Sequence, residues 1–142
     1  MRVLILLVAL ILSWEIKAET LSSIDVFYTE SQSVQVLNSV NGVKPKYFNL
    51  DSSRLQQEKI NLNMPSNLKA ASNYMSRFAN SDKGKQVIRT IVDGYQGVGE
   101  AFRLSVRELP AVVINKKYVV YGTVDAKRAV SLSIEKGVID EK

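Results

Sequence analysis

Leu109-Pro110-Ala111-Val112-Val113-Ile114 is followed at once by Asn115-Lys116-Lys117 and then by Tyr118-Val119-Val120-Tyr121-Gly122. A proline stands directly before an all-apolar run, a polar turn follows, and a second run rich in β-formers ends at a glycine. Ala111 to Ile114 has no polar residue, which predicts a strand covered on both faces. Asparagine tolerates positive φ, so Asn115-Lys116 suits the tight turn of a hairpin. Tyr118 to Tyr121 then pairs back. Its two tyrosines fall on opposite faces of the strand, which predicts one in the core and one exposed at an edge.

Working outward from the hairpin, a long helix is expected from about Lys83 to Leu104. Its apolar positions are Val87, Ile88, Ile91, Val92, Tyr95, Val98, Ala101 and Phe102. Gly94, Gly97 and Gly99 lie inside it. Each weakens a helix by about 1 kcal/mol relative to alanine, so a close approach by another element or a kink is predicted there. Asn63-Met64-Pro65 is a breaker, and after it Leu68, Ala71, Tyr74, Met75 and Phe78 recur at helical spacing, with Ser66 or Asn67 as cap. Ile24 to Tyr28 alternates as a first strand, and Lys46 to Leu50 reads as a second. Between them Val34 to Val40 predicts a short helix closed by Asn41-Gly42. Arg54 to Leu62 reads as a weak helix or a loop. Downstream, Thr123 is the expected cap of a last helix carrying Val124, Ala126, Ala129, Val130, Leu132, Ser133 and Ile134 and stopping at Gly137. Val138 to Lys142 is expected to fray.

The order is β–α–β, then helices, then β–β–α. It predicts an α/β fold with a mixed central sheet of about four strands flanked by helices. That is the thioredoxin arrangement, in which the first hairpin strand runs antiparallel to strand one and the proline before it is cis and faces the active-site loop.

The first residues read as an address. Met1-Arg2 is a short positive start, Val3 to Leu12 is an unbroken apolar run, and Ile16-Lys17-Ala18 places small Ala18 at a cleavage site. The apolar run is too short to span a bilayer as a helix. Residues 1–18 are therefore expected to be a signal peptide cleaved after Ala18, and residues 19–142 the mature thioredoxin-like domain. An uncleaved anchor is the alternative. No second long apolar stretch follows, so no integral membrane span is expected after processing, and the expected location is periplasmic.

The 142-residue chain has no cysteine and no histidine. That excludes a Cys–His nucleophile, a Ser–His–Asp triad, a CxxC redox pair and any His/Cys metal site. No dense acidic loop of the calcium type is visible either, and no metal or cofactor is expected. Removing residues 1–18 takes out Arg2, Lys17 and Glu15, leaving 17 basic and 13 acidic side chains, a net charge of +4. The basic residues are dispersed and not interleaved with aromatics, which reads as a solvated surface. No nucleic-acid partner is expected.

Gly94-Tyr95-Gln96-Gly97-Val98-Gly99-Glu100-Ala101-Phe102-Arg103-Leu104, then Leu109-Pro110-Ala111-Val112-Val113, then Tyr118-Val119-Val120-Tyr121-Gly122 with Asp125 and Ala129 beyond, together carry a resemblance. The chain resembles the small exported proteins of integrative and conjugative elements, described as thioredoxin-like and of undefined role. The resemblance is strong over residues 94–130. Upstream, Asp25 to Thr29, Asn49-Leu50-Asp51 and Met64-Pro65 fall in the expected order. Where many members carry a tryptophan after Gln-Gly-Val, this chain has Phe102. The resemblance implies an accessory component of conjugative transfer by a type IV secretion system, with other exported proteins of that apparatus as partners. It names no reaction.

The residues that can act are few. Glu108, Leu109 and Pro110 are a candidate docking edge, where an extended segment pairs with the backbone before the proline; a proline that only shapes a turn is the alternative. Tyr118 and Tyr121 mark a second candidate edge. Tyr95 and Gln96 can line a partner groove, though a tyrosine on a helix face is commonly core. Thr29-Glu30-Ser31-Gln32-Ser33 occupies the place of a redox pair but carries only hydroxyls. A serine nucleophile there lacks a histidine base, and helix capping is the plainer reading. Gly94 to Gly99 has the wrong spacing for a phosphate loop and lies in a helical pattern. Asp93 and Glu100 share a helix face but lie roughly 10 Å apart along it, beyond the ~5–9 Å of a carboxylate pair. No catalytic residue is assigned. The expected function is a non-catalytic adaptor acting by protein binding. The alternatives are a chaperone-like binder of extended segments or a cysteine-free enzyme.

Overall fold

The computed structural model describes residues 18–141. The expected signal peptide, except Ala18, lies outside them, as does Lys142. Four strands and four helices follow in order: β1 (Ile24–Tyr28), β2 (Lys46–Asn49), α1 (Ser52–Leu62), α2 (Leu68–Asn80), α3 (Asp82–Arg103), β3 (Ala111–Ile114), β4 (Tyr118–Tyr121) and α4 (Ala126–Glu135). The strands form one mixed sheet in the order β2-β1-β3-β4. β1 runs parallel to β2, with Phe27 beside Phe48, and antiparallel to β3, with Phe27 beside Ala111. β3 and β4 form the hairpin that the Asn115-Lys116 turn predicts, both turn residues having positive φ.

Period-two alternation in β1 sorts its side chains to two cores. Ile24 and Val26 join Val112 and Ile114 under Ala126, Ala129 and Val130 of α4. Phe27 and Val113 point the other way, against Ala101 of α3, with Phe48, Leu50, Leu104 and Val119 around them. Phe27 and Phe48 stack with centroids 5.0 Å apart. All four residues of β3 are buried, because helices cover both faces of this inner strand.

Local chemistry sets most boundaries. The Asn67 side chain accepts from the Ala70 amide at the start of α2, and Ser81 Oγ accepts from the Gly84 amide at the start of α3. Ser81 Oγ also donates to the Phe78 carbonyl, so one residue ends α2 and begins α3. The corner is tight enough that a Cβ at Gly84 would overlap that carbonyl. The 52–62 segment, open to two readings, is a helix: Ser53 donates its hydroxyl to the Ile91 carbonyl of α3, a tertiary tie that supports a weak helix former.

Three expectations are corrected. Val34 to Val40 forms no helix. Seven residues are too few to sustain one alone. Their backbone is paired differently: the Leu37 amide donates to Tyr47 Oη, and Val40 bridges Val43 across an Asn41-Gly42 turn with both residues at positive φ. Thr123 does not cap α4. Asp125 does, accepting from the Arg128 amide, while Thr123 Oγ1 accepts from the Asp125 amide. Nor does the tail fray over its described part. Ile139 is buried, and the Glu19 and Asp140 amides donate to Val138 and Glu19 carbonyls, which ties the two ends of the described residues together.

Candidate functional site

The β1–β3 register brings two segments to one end of the sheet. Phe27 lies opposite Ala111, so the chain leaving β1 at Tyr28 and Thr29 runs beside the chain entering β3 at Leu109 and Pro110. The Leu109–Pro110 peptide bond is cis. The Pro110 carbonyl accepts from the Gly122 amide at 2.8 Å, and Tyr121 Oη accepts from the Arg107 amide at 3.3 Å. Tyr121 is thus held against the 107–110 segment. Among the described residues, neither Glu108 nor Leu109 makes a backbone hydrogen bond. Both side chains are exposed and Pro110 is half-buried.

The loop opposite is closed on itself. Gln32 Oε1 accepts from both the amide and the hydroxyl of Thr29, each at 2.6 Å, and Ser31 Oγ is shared with Thr29 Oγ1 and Gln32 Nε2. Glu30 accepts from Asn49, and its amide donates to Asp51. These hydroxyls form a turn rather than the expected helix cap, since no helix follows, and no base touches them. Burial raises the pKa of Tyr28 at the end of β1, with the Glu30 charge adding to it.

β4 is an edge strand, so its outer backbone faces solvent. An apolar groove of about 530 Å³ runs along it between Tyr118, Val120 and Tyr121 on one wall and Leu132 and Val138 on the other. Tyr118 packs against the α4-side core, whereas Tyr121 is exposed, as the strand alternation predicts. At the far end of the groove, Lys117 Nζ and Tyr118 Oη both donate to Glu19, and the Lys117 ammonium holds that carboxyl below its usual range.

Tyr95 and Gln96 are placed elsewhere. Tyr95 Oη accepts from Gln57 Nε2 of α1 at 2.7 Å, and Tyr95 is exposed, not core. Gln96 borders a cleft of about 430 Å³ between α3 and β2, shared with Asp93 and Tyr28. The expected partner-binding set therefore divides into a Pro110–β4 group and an α3 group. Asp93 and Glu100 also part company: Glu100 faces Arg103 and Lys116.

Residues 22–135 match a family described as a protein of unknown function, DUF1525. The chain belongs to that family. The DUF1525 span takes in all four strands and all four helices and leaves out only the Glu19–Ile139 closure and the chain ends. No curated protein and no solved structure matches the chain.

One charged group in this DUF1525 domain has no local signature in the sequence. Asp25, fully buried in β1, receives Lys116 Nζ at 2.8 Å, and the same ammonium reaches Glu100 Oε1 at 2.8 Å. Asp25 Oδ2 has no partner. Lys116 comes from the hairpin turn, Asp25 from β1 and Glu100 from α3, so only the fold unites them. Arg103 and Lys116 together hold the Glu100 carboxyl down to about 2.

Proposed function

We propose that this protein is an exported, non-catalytic adaptor of thioredoxin-like fold, serving a conjugative transfer apparatus by binding its other exported proteins. The observation that carries the reading is the pairing of an open edge with a closed loop. The backbone at Glu108 and Leu109 and the outer side of β4 are unpaired, while the Thr29–Gln32 hydroxyls are spent on one another. Support for the thioredoxin-like architecture comes from the sheet order β2-β1-β3-β4, with a proline at the entrance to the inner antiparallel strand. Support for export comes from the leader-like Met1 to Ala18, and for the conjugative setting from the 94–130 resemblance. Strand addition at such an edge draws affinity from main-chain hydrogen bonds and selectivity from side-chain pockets.

The test is affinity purification of the processed protein from cells carrying its element. Co-purification of at least one envelope protein of the transfer apparatus is expected, with loss of that partner in the Leu109→Asp, Tyr121→Asp double variant, both positions being exposed. Normal transfer in a deletion strain, together with no co-purifying envelope component, would sink the reading. The apolar groove beside β4 also favours a second reading, a chaperone-like binder of extended segments. That reading predicts capture of many unrelated unfolded chains in place of one partner.

A further inference from the structure

α3 is 22 residues long, and the fold uses only part of its circumference. Gly84, Gly94, Gly97 and Ala101 are buried. On the outer side, Ile88, Val92, Tyr95, Gly99 and Phe102 recur at intervals of four, three, four and three residues, the spacing of a helix–helix seam. All five are exposed, Phe102 to 87%. Val98 borders them and is exposed too.

Gly99 separates this stripe from ordinary surface residues. A Cβ at Gly94 would collide with Ser53, and one at Gly97 would crowd Phe48, so packing within the chain accounts for both. A Cβ at Gly99 would meet nothing. Glycine weakens a helix relative to alanine, yet no neighbour within this chain requires it at 99. It leaves a notch between Tyr95 and Phe102 where the backbone of a facing helix can come close.

The rim decides what can sit there. Arg89, Gln96 and Arg103 flank the stripe on one side, Lys85 continues it one step toward the N-terminus, and the acidic Asp82 and Asp93 lie beyond the stripe's start and farther round the helix. Arg103 is paired with Glu100, while Lys85 and Arg89 form no ion pair among the described residues. A second copy laid antiparallel about Gln96 would set Arg89 against Arg103 of the copy, like charge on like. A helix with an acidic rim meets attraction at the same positions. We infer that this face of α3 docks an amphipathic helix of another protein, its apolar stripe bordered by aspartates or glutamates. The inference rests on the adaptor reading for the existence of a partner, but it uses residues of α3 and none of the Pro110 edge.

The test titrates the purified protein into a fluorescein-labelled three-heptad peptide with leucine at both seam positions and glutamate at the flanking ones. Like charges keep this peptide from pairing with itself. A lysine-flanked counterpart is the control. Saturable binding of the glutamate peptide is expected, with the lysine peptide roughly tenfold weaker or worse. Phe102→Ala should lose roughly tenfold, the size expected for truncating an aromatic anchor. Gly99→Leu, which fills the notch, should lose as much, and Arg89→Glu should remove the charge preference. These positions are exposed, so unchanged circular dichroism is the check that each variant is folded. No binding, equal binding of the two peptides, or indifference to both Phe102→Ala and Gly99→Leu would overturn the inference. So would a homodimer in sedimentation that Phe102→Ala dissolves, which assigns the seam to a second copy. No component of a transfer apparatus enters this experiment, so its failure leaves the co-purification result standing, and the reverse.

Discussion

Gly94 and Gly99 lie five residues apart on one helix and answer to different neighbours. A Cβ at 94 would overlap Ser53 Oγ and fall 2.5 Å from Ser52 Oγ and 2.9 Å from the Ser53 amide nitrogen. The first two can swing away; the backbone amide cannot. Gly94→Ala should therefore push α1 off α3 and destabilise the protein by about 1–3 kcal/mol, the usual range for overpacking. Gly99→Ala meets open space and should stabilise by about 1 kcal/mol through helix propensity alone. Denaturant unfolding of the two variants checks both signs. From sequence the two glycines were indistinguishable, because the helical pattern of α3 does not say where α1 will lie.

Among elements, the hairpin turn does more than reverse the chain. Asn115 Oδ1 accepts from the amides of Ser22 and Ser23, and Lys116 bridges Asp25 of β1 to Glu100 of α3. The turn thus fastens the strand entry and a helix to the β3–β4 unit. Glu100 gives this tie a pH signature. Its folded pKa is about 2, below the ~4.3 of an unfolded glutamate. The folded state then binds fewer protons than the unfolded one, so the stabilisation is complete above about pH 4.3 and disappears as pH falls toward 2. Glu100→Gln should be less stable than the parent at pH 7 and nearly equal to it near pH 2. A constant gap across that range in thermal unfolding would contradict the assignment. Element positions were legible in the sequence wherever the cue was local: the alternation of β1, the Asn115-Lys116 turn, Ser81 and Asn67 as caps. The 34–40 segment was misread because its helix-like spacing competes with Tyr47, ten residues away from Leu37, for the same backbone groups.

At the scale of the whole molecule, the one tryptophan is Trp14, within the leader-like segment. Cleavage after Ala18 would leave a protein with no tryptophan. The form recovered from an exporting cell should show tyrosine emission only, with a mass reduced by residues 1–18. Tryptophan emission from that form would mean the leader is retained. Among the described residues, no helix is long and apolar enough to cross a membrane.

The sequence by itself determined the four strands, the last three helices, the turn at 115–116 and the lack of any thiol or imidazole. Those follow from short-range rules of periodicity, capping and residue chemistry. Only the tertiary structure decided which side of α3 is covered, that Tyr121 joins the Leu109–Pro110 edge while Tyr118 joins Glu19 at the opposite end of β4, and that Lys116 meets Asp25 and Glu100. Those facts depend on contacts between residues that the sheet order β2-β1-β3-β4 brings together from distant parts of the chain. Local pattern carries no record of which distant surface will arrive to bury a given face. The opening stretch from Leu109 to Gly122 placed its strands correctly, and the fold then showed that its two ends serve different neighbours.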